Sequence, residues 1–305
     1  MNKTELTVEK DGFYGIYYPN PQESSAAMIA MAGDACDDYM AKKCVKWLHG
    51  LGLNVLAMSP GPRDYSCHNY PIERFGRAIA YLKQKKNTKF GFFGASTTGM
   101  LALLAASFYP EITMTVAISP SDFVMEGYYQ EKGVERPGDG ESTVSVGGVP
   151  LPYLPFAYRH TEYWQKIQEE AKRGKNMIAS REMFDRSEQL HPVTEAERIK
   201  VEKIQGRMVL LGAEDDCLWD TCKYIRRIEE RLREKNSPCQ VQALLYEHAT
   251  HFLFPQSLMK MLLPIGSGLL PKLAFQAARA YPKACKQARM DADQKVKAAL
   301  SGWFA

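Results

Sequence analysis

"KFGFFGASTTGM", Lys89 to Met100, sets an apolar run, a short polar break and the start of a second apolar run, "MLALLAASF", within a few residues. The first run has strand length and ends in Gly94-Ala95-Ser96; the second has no glycine or proline until Pro110 and reads as a helix. A strand that turns at once into a helix places Ser96 at the tip of the turn. The pattern is close to G-x-S-x-G, with Gly94 in place and the second glycine one position late, at Gly99. A competing reading makes Ser96 an ordinary helix N-cap, a position serine favours.

Outward from this turn, apolar runs and amphipathic stretches alternate. "GFYGIYYP" (12–19), "AAMIAMAGD" (26–34), "LNVLAMSPG" (53–61) and "ITMTVAISPSD" (112–122) read as strands; "DDYMAKKCVKWLHGLG" and "PIERFGRAIAYLKQKK" between them read as helices. That alternation predicts a mostly parallel central sheet with helices on both faces. Residues 120–205 break it. They hold the turn-rich "RPGDGESTVSVGGVPLPYLP" and a polar helical stretch over about 161–189. The alternation resumes with strand "GRMVLLGAEDD", helix "CKYIRRIEERLREK", strand "CQVQALLYE" and a last helix over about 271–300. The expected organisation is one α/β domain over 1–305, with 120–205 inserted above the carboxyl edge of the sheet, where functional sites gather.

Composition narrows the function classes. Apolar residues are 45% of the 305, enough for a large core, and a net charge of +4 is too small to mark a nucleic-acid binder. The basic clusters at 225–235 and 283–297 have helical spacing and read as solvated faces. The longest apolar run, Met100 to Phe108, is too short to span a bilayer. The polar N-terminus lacks a hydrophobic leader segment, and seven cysteines follow no metal-ligand spacing. The expectation is a cytoplasmic protein with reduced thiols, no metal, no cofactor and no nucleic-acid partner; homo-oligomer formation stays open.

The chemistry follows from what a serine needs. Its hydroxyl is a weak nucleophile at neutral pH and requires a histidine base, itself oriented by an acid. Gly212-Ala213-Glu214-Asp215-Asp216 closes one later strand, and "LLYEHATHFLFP" closes the next, offering His248 and His251. The order nucleophile, acid, histidine is that of one hydrolase architecture. Asp215 and Asp216 could also simply cap the helix from Thr221. Alternation along an extended chain sends the two aspartates to opposite sides, so one of them faces His251. Developing negative charge on a substrate carbonyl would be met by the Thr97 amide and by an amide of Asp34 or Ala35, in the loop after the 26–32 strand. The proline-stiffened "PLPYLPF" offers Tyr153 and Phe156, and Trp164 follows, as apolar walls for an acyl group.

The blocks "GFFGASTTGMLALLAASFYPEITMTVAISPSDFVMEGY", "GGVPLPYLPF", "IKVEKIQGRMVLLGAEDDCLWD" and "YEHATHFLFP" resemble the C-terminal domain of acyl-CoA thioester hydrolases and bile acid-CoA:amino acid N-acyltransferases. The resemblance runs over roughly residues 12–300. It implies an α/β-hydrolase fold with an insertion over the active-site edge. It puts the nucleophile on Ser96, the base on His251 and the acid on Asp215, three residues after the glycine, with Asp216 in reserve. The expected substrate is a small-molecule acyl thioester or ester. Mammalian members carry a β-sandwich domain ahead of this one, which these 305 residues do not accommodate, so their acyl and CoA recognition need not carry over. The amino-acid acyltransferases use cysteine as nucleophile; serine here favours water as acceptor. Acyl transfer to an amine or alcohol, and a catalytically silent fold used for binding, are the rival readings.

Overall fold

The computed structural model describes residues 2–33, 35–61, 67–131 and 134–304, apart from the side chains of 130–131 and 134–139. In chain order the elements are β1 (Thr4–Leu6), α1 (Val8–Asp11), β2 (Gly15–Tyr18), β3 (Ala26–Met31), α2 (Tyr39–His49), β4 (Asn54–Met58), β5 (Tyr70–Pro71), α3 (Glu73–Gln84), β6 (Lys89–Ala95), α4 (Thr97–Phe108) and β7 (Ile112–Ile118). Then come β8 (Glu126–Glu131), β9 (Val134–Ser142), β10 (Val144–Val146), β11 (Val149–Pro150), α5 (His160–Arg173) and α6 (Arg181–Leu190). A 3-10 turn at Val201–Lys203 leads to β12 (Arg207–Ala213), α7 (Thr221–Glu234), β13 (Gln240–Tyr246), α8 (Gln256–Leu262), α9 (Leu270–Ala274), α10 (Gln276–Ala280) and α11 (Pro282–Phe304).

Eight strands form the central sheet in the order β1-β2-β4-β3-β6-β7-β12-β13. From β4 to β13 every pairing is parallel; β2 joins β4, and β1 joins β2, antiparallel. The inner strands are buried on both faces, which is why "AAMIAM" and "NVLAM" carry almost no polar residue. Period-two alternation divides their side chains between two cores. Phe92, Ala117 and Leu210 pack on one face with α3, α4 and α7; Phe93, Val116 and Leu211 pack on the other with α2, α8 and α11. The first of these cores extends into α5 and α6 through Tyr163, Ile167, Met183 and Phe184.

Two expectations change at the level of elements. The polar stretch expected as one helix over about 161–189 is two, α5 and α6, and the turn-rich segment before it contains the antiparallel hairpin β8–β9. The last helix, expected over about 271–300, is broken: α11 starts at Pro282, since proline lacks the N–H that an interior position would need.

The β6–α4 junction is tightly packed. A Cβ on Gly94 would stand 2.1 Å from the Thr98 carbonyl oxygen, and one on Gly99 would stand 2.9 Å from the Ile118 carbonyl oxygen. The late glycine is therefore in place: Gly99 lets α4 settle on β7, while Gly94 lets the turn close. Gly94→Ala should lower stability by about 1–3 kcal/mol or more, since the backbone it would strike has no room to relax. A melting temperature within a degree of the parent protein would refute this packing account.

Candidate active site

Ser96 sits at φ 61°, ψ −130°, a sparsely populated conformation for a residue with a side chain. This excludes the ordinary N-cap reading: the backbone is not extended, and the hydroxyl makes no capping bond to the helix. The turn is held instead by its backbone and by Thr98. Ser96 N–H donates to the Ile118 carbonyl at 2.8 Å, and its own carbonyl accepts from Gly99 and Met100. Thr98 Oγ1 accepts from Ala95 N–H at 2.9 Å, and the Met31 and Ala95 carbonyls both lie 2.8 Å from it. The threonine that replaces the usual glycine thus fastens the turn to β3. Thr97 is the first residue of α4, so its N–H has no acceptor within the helix.

The acid and the histidine stand at the ends of β12 and β13. Asp216 Oδ2 lies 2.8 Å and Oδ1 3.0 Å from His251 Nδ1, both residues being buried. A proton on Nδ1, toward the carboxylate, would leave Nε2 as an acceptor; among the described residues that atom is buried without a hydrogen-bond partner. The expectation that Asp215 faces His251 is corrected here. Asp215 Oδ2 is 2.9 Å from Nδ1 of His248, whose ring stacks on Tyr281 with centroids 3.5 Å apart. The reason is the turn at Glu214–Asp215, which ends the strand's extended alternation and swings the next residue inward. Asp216 N–H then donates to the Ala213 carbonyl, and Asp216 Oδ1 accepts from Leu218 N–H at 2.9 Å. Neither aspartate caps α7; Asp220 does, accepting from Lys223 N–H.

The end of β7 ties these loops together. Ser119, buried and at φ 50°, donates its N–H to the Leu211 carbonyl and its hydroxyl to the His251 carbonyl at 2.8 Å. Its own carbonyl accepts from Trp219 Nε1 at 3.1 Å, and the Trp219 ring meets the His251 imidazole edge-on, 4.6 Å between centroids. From the other side, Arg181 at the start of α6 donates to the carbonyls of Glu214 and Asp216 and pairs with Asp220. Sequence reasoning missed Ser119, Trp219 and Arg181 in these roles. Only the "ISPSD" and "CLW" runs beside the strand ends hinted at the first two; nothing in the sequence pointed to Arg181.

Ser96, Thr97, Thr98 and His251 line a cavity of about 340 Å³, together with Gly33, Met125, Tyr128, Phe156, Tyr163, Phe184 and Trp219. Of the three expected wall residues, Phe156 lines it. Tyr153 and Trp164 do not; both pack, half-buried, against the neighbouring core. On α5 the buried stripe is Tyr163, Ile167 and Ala171, spaced four apart, so Trp164 lies one residue round the helix from the cavity. Of the two amides expected beside Thr97, Asp34 lies outside the described residues. The Ala35 N–H donates to Asp38 at 3.2 Å, the residue that caps α2, so that donor is already engaged. No cysteine is among the described residues that line the cavity; the nearest in sequence to Asp216, Cys217, has its thiol pushed up to about 12 by burial. Among the described residues no group of histidine, cysteine and carboxylate side chains is arranged to hold a metal ion, and no helix is long and apolar enough to cross a membrane.

A parallel sheet with its nucleophile-type turn after the central strand, and an Asp–His pair on the two strands beyond the next, is the layout of an α/β-hydrolase. Solved structures agree on the fold. An esterase of Pyrococcus furiosus superposes with a TM-score of 0.54 at 14% identity, covering 100% of this chain and 91% of its own. Carboxyl esterase 2 of the fungus Tuber melanosporum gives 0.57 at 9% identity, covering 100% and 88%. A dienelactone hydrolase-like promiscuous phosphotriesterase from metagenomic libraries gives 0.53 at 14%, covering 100% and 98%. No curated protein sequence matches the chain. The family model described as BAAT / acyl-CoA thioester hydrolase C terminal matches residues 70–258, so the chain belongs to that family and is a hydrolase.

The Arg181 clamp depends on how α6 begins. Its second residue, Glu182, donates its N–H to both carboxyl oxygens of Glu170 on α5, each at 3.2 Å. Burial, with the Glu182 charge adding to it, pushes the Glu170 carboxyl from its ordinary 4.5 up to about 7. A raised carboxyl disfavours the folded state once it ionises. Its penalty is absent below about 4.5 and grows as pH rises through about 7. Glu170→Gln keeps an acceptor for α6 and removes the ionisation. The variant should melt about 2 °C higher than the parent at pH 8 and match it near pH 4.5. An equal shift at both pH values would show that Glu170 does not titrate in this way.

Proposed function

We propose that this chain is a serine hydrolase of acyl thioesters or esters, built as one α/β-hydrolase domain over 1–305 with residues 120–205 as a cap-like wall. Ser96 is the nucleophile, His251 the base and Asp216 the group that orients it. The single observation behind this reading is the buried Asp216–His251 pair, whose histidine lines the same cavity as Ser96 and keeps Nε2 without a hydrogen-bond partner among the described residues.

In this reading Ser96 Oγ attacks the carbonyl carbon while its proton passes to His251 Nε2. The oxyanion forms near the Thr97 amide and the N-terminus of α4, where unpaired N–H groups favour negative charge. As the tetrahedral adduct collapses, the C–S or C–O bond breaks and His251 returns the proton to the leaving thiolate or alkoxide. Water then attacks the acyl-enzyme, giving a proton to His251; the bond between the acyl carbon and Ser96 Oγ breaks, His251 returns that proton to Oγ, and the acid is released. Asp216 stays ionised throughout and steadies the imidazolium. Trp219 and Ser119 keep the ring from swinging, one by its edge contact and the other through the backbone.

Kinetics on an ester and thioester panel, with a fluorophosphonate label, test the assignment. Ser96→Ala should abolish labelling and lower kcat by about 10³-fold or more without unfolding the protein. Asp216→Asn favours the wrong imidazole tautomer and should lower kcat by up to about 10⁴-fold. Asp215→Asn should stay within a few-fold, because its partner is His248. If Asp215→Asn is the crippled enzyme and Asp216→Asn is nearly normal, the orienting acid has been misassigned. If Ser96→Ala retains most activity, the nucleophile has.

A further inference from the structure

Residues 248–290 contain no aspartate or glutamate and six basic residues, although the whole chain carries 35 acids against 39 lysines and arginines. They run from the His248 loop through α8, α9 and α10 into α11. The same stretch bares its aliphatic side chains: Ile265 is 93%, Leu273 67%, Leu269 60% and Leu270 42% exposed. The Gly266 carbonyl accepts from the Leu269 and Leu270 N–H groups, and the Leu269 carbonyl from Leu273, so these residues form one knuckle. Met177, 69% exposed, joins it from the α5–α6 linker, its N–H donating to the Ala274 carbonyl at 2.7 Å. Beneath Leu270, Leu273 and Met177 lies an apolar space of about 470 Å³; Phe252 borders both it and the catalytic cavity.

Positive charge flanks the knuckle. Lys175, Lys260 and Lys272 are exposed, and among the described residues none of them has a carboxylate partner. Lys272 stands between Pro271 and Leu273, Lys260 follows Met259, and Lys175 precedes Met177 by two residues; those four neighbours all line the apolar space. Arg279 donates to the carbonyls of Lys175, Lys272 and Leu273, which adds a fourth cation at the same place. On α7, by contrast, Lys223, Arg226, Arg227 and Arg231 all pair with carboxylates. Of the acids on the bordering elements, Asp38 caps α2, and Asp291 and Asp293 of α11 pair with Lys295 and Lys297. Asp37, ahead of α2, is exposed.

We propose that this surface docks the protein on an anionic lipid membrane. The aliphatic knuckle enters the headgroup layer, and the lysines meet the lipid phosphates and carboxylates. Burial of exposed aliphatic area and attraction of unpaired cations to anionic lipid are the two forces that hold a protein at an interface without a spanning segment. Charge selects the occupant. A second copy would set four cations against four. A nucleic acid would find aliphatic side chains where its bases stack on aromatic ones. A neutral apolar partner would leave the lysines uncompensated. Docking here is independent of whether Ser96 is the nucleophile.

Vesicle flotation of the full chain tests the docking. The parent should float with phosphatidylcholine vesicles containing about 30% phosphatidylserine and bind pure phosphatidylcholine vesicles about tenfold or more weakly. Raising salt from about 0.1 M to about 0.5 M should release it. Ile265→Ser combined with Leu269→Ser withdraws the apolar area and should weaken binding about tenfold or more. Lys260→Gln combined with Lys272→Gln should do the same, since each lysine near an anionic surface counts for about fivefold. All four positions are exposed, so both double variants should melt within about 2 °C of the parent. Equal binding to the two kinds of vesicle, binding to neither, or unchanged binding in both double variants would overturn the assignment. So would a dimer that the serine variant dissociates while the parent ignores vesicles, which would make the knuckle a contact between copies. Capture of polyglutamate by a parent that ignores vesicles would overturn it too, in favour of an acidic protein.

Discussion

The carboxyl end of β7 is the constraint on which the site depends. Ile118 offers its carbonyl to the Ser96 amide, and Ser119 binds the His251 carbonyl, the Trp219 indole and the end of β12. Two adjacent residues thereby fix the serine turn, the acid loop and the histidine loop, which come from three other strands. Ser119 adopts a left-handed conformation to do so and is buried, so its groups must find partners within the protein. They find them on the segments that have to be held in register.

The site carries local costs. The Ser96 backbone is strained by roughly 1–3 kcal/mol, and a buried Nε2 without a partner costs a similar amount. Both fall on the groups that chemistry would use, and the surrounding structure offsets them. Thr98 ties the turn to β3, Gly94 and Gly99 allow the contact, and Asp216 is doubly held by His251 and the Leu218 amide. The Arg181 clamp adds a link from α6, so the segment between β7 and β12 both walls the cavity and braces the acid loop.

The two apolar spaces meet at Phe252 and differ in kind. The first is ringed by hydrogen-bonding side chains and by the aromatics Phe156, Tyr163, Phe184 and Trp219; the second is nearly all hydrocarbon.

The sequence by itself determined the strands of the central sheet apart from β1, the helices between them, the serine turn and the order of the groups at the strand ends. Those features follow from periodicity, glycine placement and chain order, all of which are local or nearly so. It also narrowed the partner of His251 to Asp215 or Asp216. Which of them meets His251 was decided by the tertiary structure, because a turn at Glu214–Asp215 breaks the alternation that the counting assumed. The same holds for the cavity walls. Helical phase places Tyr163 inside and Trp164 outside, and only the packing of α5 sets that phase. The amide of Ala35 was lost to Asp38 by a capping bond that forms only once α2 is oriented. Ser119 and Arg181 are single polar residues in unremarkable contexts. Their importance comes from meeting segments up to 132 residues away, which no local pattern encodes.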